Sequence, residues 1–425
     1  MVSIDDFARQ KEYISPMDGQ YGPIMRDITD NEIIPNRGKF DEDWLDHKYV
    51  EPIMKDILVD KGSLQKALFP TDYGGLSFNY LEYRPAALLA RIFEEVGRGD
   101  TAIAVATGVT LWPLTLIGVE PLIRMDLLEE FAPIYCETEE PMFGMMAMTE
   151  PQGGSDIENV DHVRGRTIKT VARLEGDEWV INGHKLWPTN SGGATKGVMA
   201  VICTTKSGSL DPNDFAVIYV PAKTKGVRQG APYKKAGMAA DKNSDIWFED
   251  VRVPKEYRAW SPGLDAEYFR SIGSWGCFGS IGFAAGELYD TCQILDQHFS
   301  DRIYRGRPMK EFDAVASVLA DIAVDAQMAR WALYEVAHTL DRPDLYGNSW
   351  SPAVEARIRG TKLWVVDTAV RDTEKALDLL GRYGYDRAWA LEKHWRDEKI
   401  IQLWLGGRQL NQMIVARCFY KCETL

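Results

Sequence analysis

The stretch MAMTEPQGGSD, residues 146–156, runs from apolar residues into a Thr-Glu-Pro turn and then a glycine pair before Ser155. Two adjacent glycines let a backbone approach a ligand closely, and the hydroxyls of Thr149 and Ser155 add donors beside the main-chain N–H groups. A flat, polar, phosphate-bearing ligand would need that set of groups. What flanks the stretch on either side therefore decides the fold.

Upstream, apolar residues recur at three-to-four spacing in LDHKYVEPIMKDILVDKG (45–62), YRPAALLARIFEEVGRG (83–99) and DTAIAVATGVTLWPLTLIG (100–118). Breaks such as FPTDYGGLS (69–77) separate them, so the first third reads as helices. Downstream the pattern changes to short β-branched and aromatic runs: TIKTVARLEG (167–176), EWVINGHKLW (178–187), GVMAVICTT (197–205), DFAVIYVPA (214–222) and SDIWFEDVRVP (244–254). These predict an antiparallel sheet or small barrel. Helical periodicity returns in four long stretches, 277–299, 312–340, 351–381 and 395–420, which predict a four-helix bundle. The fold class is thus α+β, with an N-terminal helical domain (1–141), a central β-barrel-like domain (142–260) and a C-terminal helical bundle (261–425).

At 425 residues the chain is long enough for two or three subdomains around a large core. Its 49 basic and 63 acidic side chains give a formal charge of −14, which argues against a nucleic-acid groove or an anionic membrane surface as main partner. Six cysteines without CxxC spacing suggest reduced thiols, neither a zinc site nor a disulfide framework. With no signal-like N-terminus and no uninterrupted apolar run of about 18 residues, a cytoplasmic protein free of the membrane is expected.

Five blocks in order carry a resemblance: MAMTEPQGGSD; WVINGHKLWPTNSGGA (179–194); YKKAGMAADKNSDIWFEDVRVP (233–254); DRIYRGRP (301–308); and LLGRYGYDRAWALEKHWRDEKIIQLWLGGRQLNQMIVAR (379–417). Together they resemble the acyl-CoA dehydrogenase superfamily of FAD flavoproteins. The resemblance implies FAD between the β-domain and the bundle, with a neighbouring subunit of a homo- or hetero-oligomer, dimer or tetramer, completing the site. It implies that Thr149 and the backbone around Met148 meet the flavin ring and that Gly154 and Ser155 meet the pyrophosphate. Trp187 and Thr189 would lie at the back and the N5 edge of the isoalloxazine, where an indole face and polar donors suit a planar ring. Arg302 would reach a partner's pyrophosphate, and Gly381, Gly406, Gly407 and Gln409 would lie near the adenosine half. Arg396 and Asp397 are expected to pair within the bundle.

The same resemblance implies an acyl-CoA thioester as substrate and an electron-transferring flavoprotein as electron acceptor. Dehydrogenation of such a thioester needs a carboxylate for the α-proton, because the flavin alone is too weak a base. The two positions where the family carries that glutamate are Leu405 and Gly276 here. A relocated base would then come from Glu287, Asp290, Asp265, Glu267, Glu95 or Asp100. Ser274 and Cys277 replace residues that serve CoA in many members, and Asp378 replaces a glutamine near the pyrophosphate, where Arg382 or Lys375 would have to neutralise it. Trp112 and Pro113, expected beside the acyl pocket, hint at a bulky or cyclic acyl group. Two other readings follow: a subunit without a base in a mixed tetramer, and, from Pro188 and the Ser-Gly-Gly after Asn190, an oxidase or monooxygenase acting without CoA, as in the nitroalkane oxidase branch.

Overall fold

The computed structural model describes residues 2–159 and 168–422. Of the N-terminal helices, α1 (Asp18–Ile28) packs on α2 (Pro85–Gly99), and α2 turns at Asp100 into α3 (Thr101–Gly118); α4 (Met125–Cys136) closes the layer. Asp100 sets the turn, because its carboxylate accepts from the Ile103 N–H at 3.0 Å and so satisfies a free donor of the first turn of α3. The charged side chains of the wholly buried α2 are paired, Arg91 with Glu95 at 2.6 Å for example. By length and composition α3 could cross a membrane, although Thr, Gly and Pro interrupt its apolar residues. It is instead apolar on every side because it is buried on every side, between the sheet and the bundle.

The sheet has seven strands: β1 (Phe143–Ala147), β2 (Val171–Glu175), β3 (Glu178–Lys185), β4 (Gly197–Thr204), β5 (Phe215–Pro221), β6 (Val227–Gln229) and β7 (Ile246–Pro254). Five of them fall in the runs read from the sequence. The sheet is mixed where an antiparallel one was expected, since β1 lies parallel to β4, with Phe143 opposite Gly197 and Ala147 opposite Val201. Alternation along a single strand carries no information about its partner's direction, and β1 is a short apolar run with no alternation at all. β1 ends at Ala147, and Thr149 two residues on is held by the Leu186 N–H at the end of β3. Gly144 lets β1 press on α3; a Cβ there would stand 2.2 Å from the Thr110 carbonyl oxygen.

The C-terminal part holds α5 (Leu264–Asp301), α6 (Asp313–Asp341), α7 (Pro352–Leu380), α8 (Leu391–Leu403) and α9 (Gly407–Tyr420). The 38-residue α5 is the axis, packing against α2, α3, α6 and α7. Five long helices replace the expected four because the last helical stretch breaks at Trp404–Gly406. Leu405 and Gly406, between the two helices, have φ of +54° and +79°, and Gly407, the first residue of α9, has +59°, a run through which one right-handed helix cannot continue. Asn411 and Arg359 then hold the Leu405 carbonyl at 3.0 and 3.1 Å, and Lys362 holds that of Trp404 at 3.1 Å.

Candidate active site

Two loops from the β-domain and the break in the bundle enclose a cavity of about 340 Å3. The first loop follows β1 and contributes Met148, Thr149, Gly154, Ser155 and Glu158; the second follows β3 and contributes Leu186, Trp187, Pro188 and Thr189. Leu403, Trp404, Leu405 and Gly406 close the opposite wall, and Val109 and Trp112 of α3 form part of it.

The loops are tied together by a buried ion pair. Glu150 accepts from Lys185 Nζ at 2.8 Å, both side chains being shut off from solvent. Glu150 also accepts from the N–H groups of Lys169 and Thr170 at 2.7 and 3.0 Å, and Lys185 donates to the Met148 carbonyl at 2.8 Å. Burial opposes the charge on Glu150, yet Lys185 and these donors hold its pKa below the usual value; burial draws Lys185 down. The Leu186 N–H donates to the Thr149 carbonyl at 2.8 Å and completes the tie.

These groups suit FAD. Trp187, with φ of +62°, stacks on Tyr233 at 4.2 Å yet leaves 46% of its surface exposed on the cavity side of the sheet edge. Leu403 is 75% exposed on the facing wall, so a planar aromatic ligand would cover apolar surface from both sides. Thr149 offers a hydroxyl with no hydrogen-bond partner among the described residues. The Thr189 hydroxyl, expected to donate toward the ring, instead donates to Asp241 Oδ2 at 3.1 Å. The same oxygen accepts from Asn243 Nδ2 at 3.4 Å, so Thr189 brings no free donor to that edge.

Of the residues predicted from sequence, Met148, Thr149, Gly154, Ser155, Trp187, Thr189 and Leu405 line this one cavity. Arg302, Gly381 and Gln409 do not. Arg302 follows α5 with its guanidinium 5.6 Å from the centre of the Tyr383 ring, and Gly381, at φ +59°, ends α7 two residues before that tyrosine. Gln409 lies exposed in the first turn of α9. Gly276 sits just below the cavity floor, where a Cβ would come within 2.3 Å of Trp112 Cζ2 and 2.9 Å of Leu405 Cδ1. The two positions named for the missing glutamate are thus neighbours in space, and the Trp112 indole, donating from Nε1 to the Ile272 carbonyl at 3.0 Å, fills the room a side chain at 276 would take.

All six carboxylates suggested as relocated bases lie outside this lining. Asp290 pairs with Arg37 at 2.6 Å and His394 at 2.7 Å, Asp265 with Arg258 at 2.5 Å, and Glu95 with three arginines. Asp100 caps α3 and pairs with Lys393. Glu287 is sealed in the bundle against Thr101, its pKa driven far up by burial and by Glu398. Glu267 is on the surface. Arg396 and Asp397 do not pair with each other: Arg396 takes Glu392 and Asp41, Asp397 takes Lys393, because they leave α8 on different faces. Neither Lys375 nor Arg382 neutralises the exposed Asp378, since Lys375 pairs with Asp372 and Arg382 donates to the Tyr383 hydroxyl. The sequence reading passed over Glu158, the cavity's own carboxylate. Its position three residues after Ser155 was visible, but no periodicity or motif marks it.

Two substitutions probe this geometry. Lys185→Met strands the Glu150 charge in the interior and is expected to cost about 3–5 kcal/mol and to strip FAD, read as a lowered Tm and a lost visible spectrum. A stable, yellow variant would contradict the tie. Gly276→Ala must displace Trp112 and should cost about 1–3 kcal/mol by overpacking, checked by thermal denaturation; an unchanged Tm would show that the indole yields freely.

The acyl-CoA dehydrogenase middle-domain family matches residues 145–251 and the C-terminal-domain family matches 277–419. Cyclohex-1-ene-1-carbonyl-CoA dehydrogenase of Geobacter metallireducens is 29% identical over 404 residues, covering 93% of this chain and 95% of that protein. Cyclohexane-1-carbonyl-CoA dehydrogenase of Syntrophus aciditrophicus is 26% identical, covering 92% and 94%. The solved acyl-CoA dehydrogenase of Bacillus anthracis complexed with FAD superposes with a TM-score of 0.80 at 21% identity, covering 99% of this chain and 69% of that one. With matches across both its β-domain and its bundle, the chain belongs to the acyl-CoA dehydrogenase superfamily, FAD-dependent oxidoreductases acting on CH–CH groups.

Proposed function

We propose that this chain dehydrogenates a compact, cyclic acyl-CoA thioester with a base placed elsewhere than in most of its family, and passes the electrons to an electron-transferring flavoprotein. The observation that carries the reading is the cavity itself. Polar groups on Thr149, Ser155 and Thr189 and an exposed indole on Trp187 stand on one side, and apolar Val109, Trp112 and Trp404 on the other, with Leu405 between them.

Trp187 and Leu403 would hold the ring of FAD, and the groups at 149, 154 and 155 its polar edge and phosphates. When bound, FAD supplies the acceptor for the hydrogen that leaves the β-carbon with its electron pair. The chain's own residues position the acyl group: Val109, Trp112 and Trp404 exclude water around it, and a further apolar void of about 30 Å3 continues behind them among Phe93, Trp275 and Phe283. So little spare room disfavours a long chain and suits a short or ring-shaped acyl group. The relatives named for cyclohexane and cyclohexene thioesters support the same choice.

The test is anaerobic bleaching of the purified, FAD-loaded chain by a panel of CoA thioesters. Cyclohexane-1-carbonyl-CoA and its cyclohexene analogue are expected to reduce the flavin, and a palmitoyl thioester is expected to leave it oxidised. Bleaching by the palmitoyl thioester alone would overturn the compact-substrate reading. Little FAD in a well-folded chain would favour the mixed-tetramer reading, and fast reoxidation of the reduced flavin by dissolved oxygen the oxidase.

A further inference from the structure

Among the described residues lining the cavity, Glu158 is the only one with an ionisable side chain. It ends the single helical turn Ser155–Glu158 of the first loop and lines the same cavity as Leu405 and Gly406 of the break in the bundle, near enough to the Gly406 N–H for that donor to favour its charged form. Its Oε2 is shut off from solvent and has no hydrogen-bond partner among the described residues. An unpaired carboxylate oxygen shut off from solvent is costly, and one that persists there points to a role.

The location matters as much as the unmet valence. Gly406 is one peptide bond from Leu405, which occupies a position where most members of the superfamily carry their glutamate. The Glu158 carboxylate therefore stands next to the place from which that group would act, supplied by the loop facing it. We infer that Glu158 takes the α-proton of the substrate, in place of the side chain absent at 405. This rests on the acyl-CoA reading above. The Cα–H bond breaks, its proton forms an O–H bond on Glu158, and its electron pair delocalises into the thioester carbonyl. No oxidant takes part in that half of the reaction.

The surroundings suit a base at neutral pH. Burial pushes the pKa of Glu158 up to about 7, and the Glu355 carboxylate adds to the rise. Arg359, Lys362 and the Gly406 N–H pull the other way, and the buried Cys277 thiol faces the same group from α5. A carboxylate poised near the operating pH takes a proton and releases it again with least loss. Arg359 and Lys362 are themselves held by the Leu405 and Trp404 carbonyls, so the wall that carries the Gly406 donor is fixed. Glu158 could instead serve only to fill this wall. Glutamine separates the two roles, since it keeps the shape and the accepting oxygen but takes no proton from carbon.

The experiment uses the FAD-loaded full chain in deuterated buffer with a CoA thioester that carries hydrogens on Cα and none on Cβ, so that proton exchange is read without oxidation. Deuterium uptake at Cα is followed by mass spectrometry, beside anaerobic bleaching by the thioester that reduces the wild type fastest. Wild type should exchange, with a rate that rises as pH passes through about 7, because the base acts when deprotonated. Glu158→Gln should keep its FAD content and Tm and lose exchange and bleaching by about 100-fold or more. Glu158→Asp, one methylene shorter, should retain part of both with the same pH profile. Exchange and bleaching by Glu158→Gln within about threefold of wild type, or loss of both with a changed FAD content and no partial activity in Glu158→Asp, would overturn the assignment while leaving the dehydrogenase reading intact. A wild type that neither exchanges nor bleaches with any thioester would remove both.

Discussion

The buried pair of Glu150 and Lys185 is the constraint on which the site depends. Each charge is unaffordable alone in an interior, and each is matched: the carboxylate by an ammonium and two backbone N–H groups, the ammonium also by the Met148 carbonyl. Because Glu150 follows Thr149 and Lys185 precedes Leu186 and Trp187, satisfying the pair fixes two loops from different strands against each other. The parallel pairing of β1 with β4 and the close contact of Gly144 with α3 place that clamp over the helix whose Trp112 forms the cavity floor. Sheet, helix and ligand loops thereby share one geometry.

The opposite wall follows a similar logic. The glycines at 406 and 407 take positive φ without cost, but Leu405 at φ +54° is strained. The break persists because Arg359, Lys362 and Asn411 collect the freed carbonyls of Trp404 and Leu405 inside the bundle. What it produces is a turn that places Leu405 and Gly406 in the lining of the cavity, where Glu158 lies too. Side chains at 405 and 276 are apolar or absent, and Trp112 occupies the space between them, so the cavity wall is drier there than a carboxylate at either position would leave it.

Much of this was legible in the chain. The change of pattern from three-to-four spacing to short β-branched runs and back placed the helical, β and helical parts, because burial on one face imposes those periods. The two loops that line the cavity stood out through glycines and hydroxyls whose conformational needs are local. Strand direction was not, since the parallel pairing of β4 with β1 depends on the β2–β3 hairpin standing on the far side of β4 in the sheet. The split of the last helix was half visible in Gly406 and Gly407 but needed the buried partners of Leu405. Ion-pair assignments such as Arg396 with Asp397 failed because neighbours in sequence leave a helix about 100° apart and meet different elements. Glu158 lacked any mark in sequence, as its environment is made by α5, α7 and the 404–406 turn, all distant in the chain.

One measurement addresses the central claim directly: a crystal structure of the chain with FAD and a non-reacting thioester analogue. The account predicts the flavin ring between Trp187 and the 403–406 wall, with the thioester α-carbon beside the Glu158 carboxylate. A ring seated instead in the larger cleft of about 700 Å3 lined by His47, Lys196 and Lys242 would contradict it.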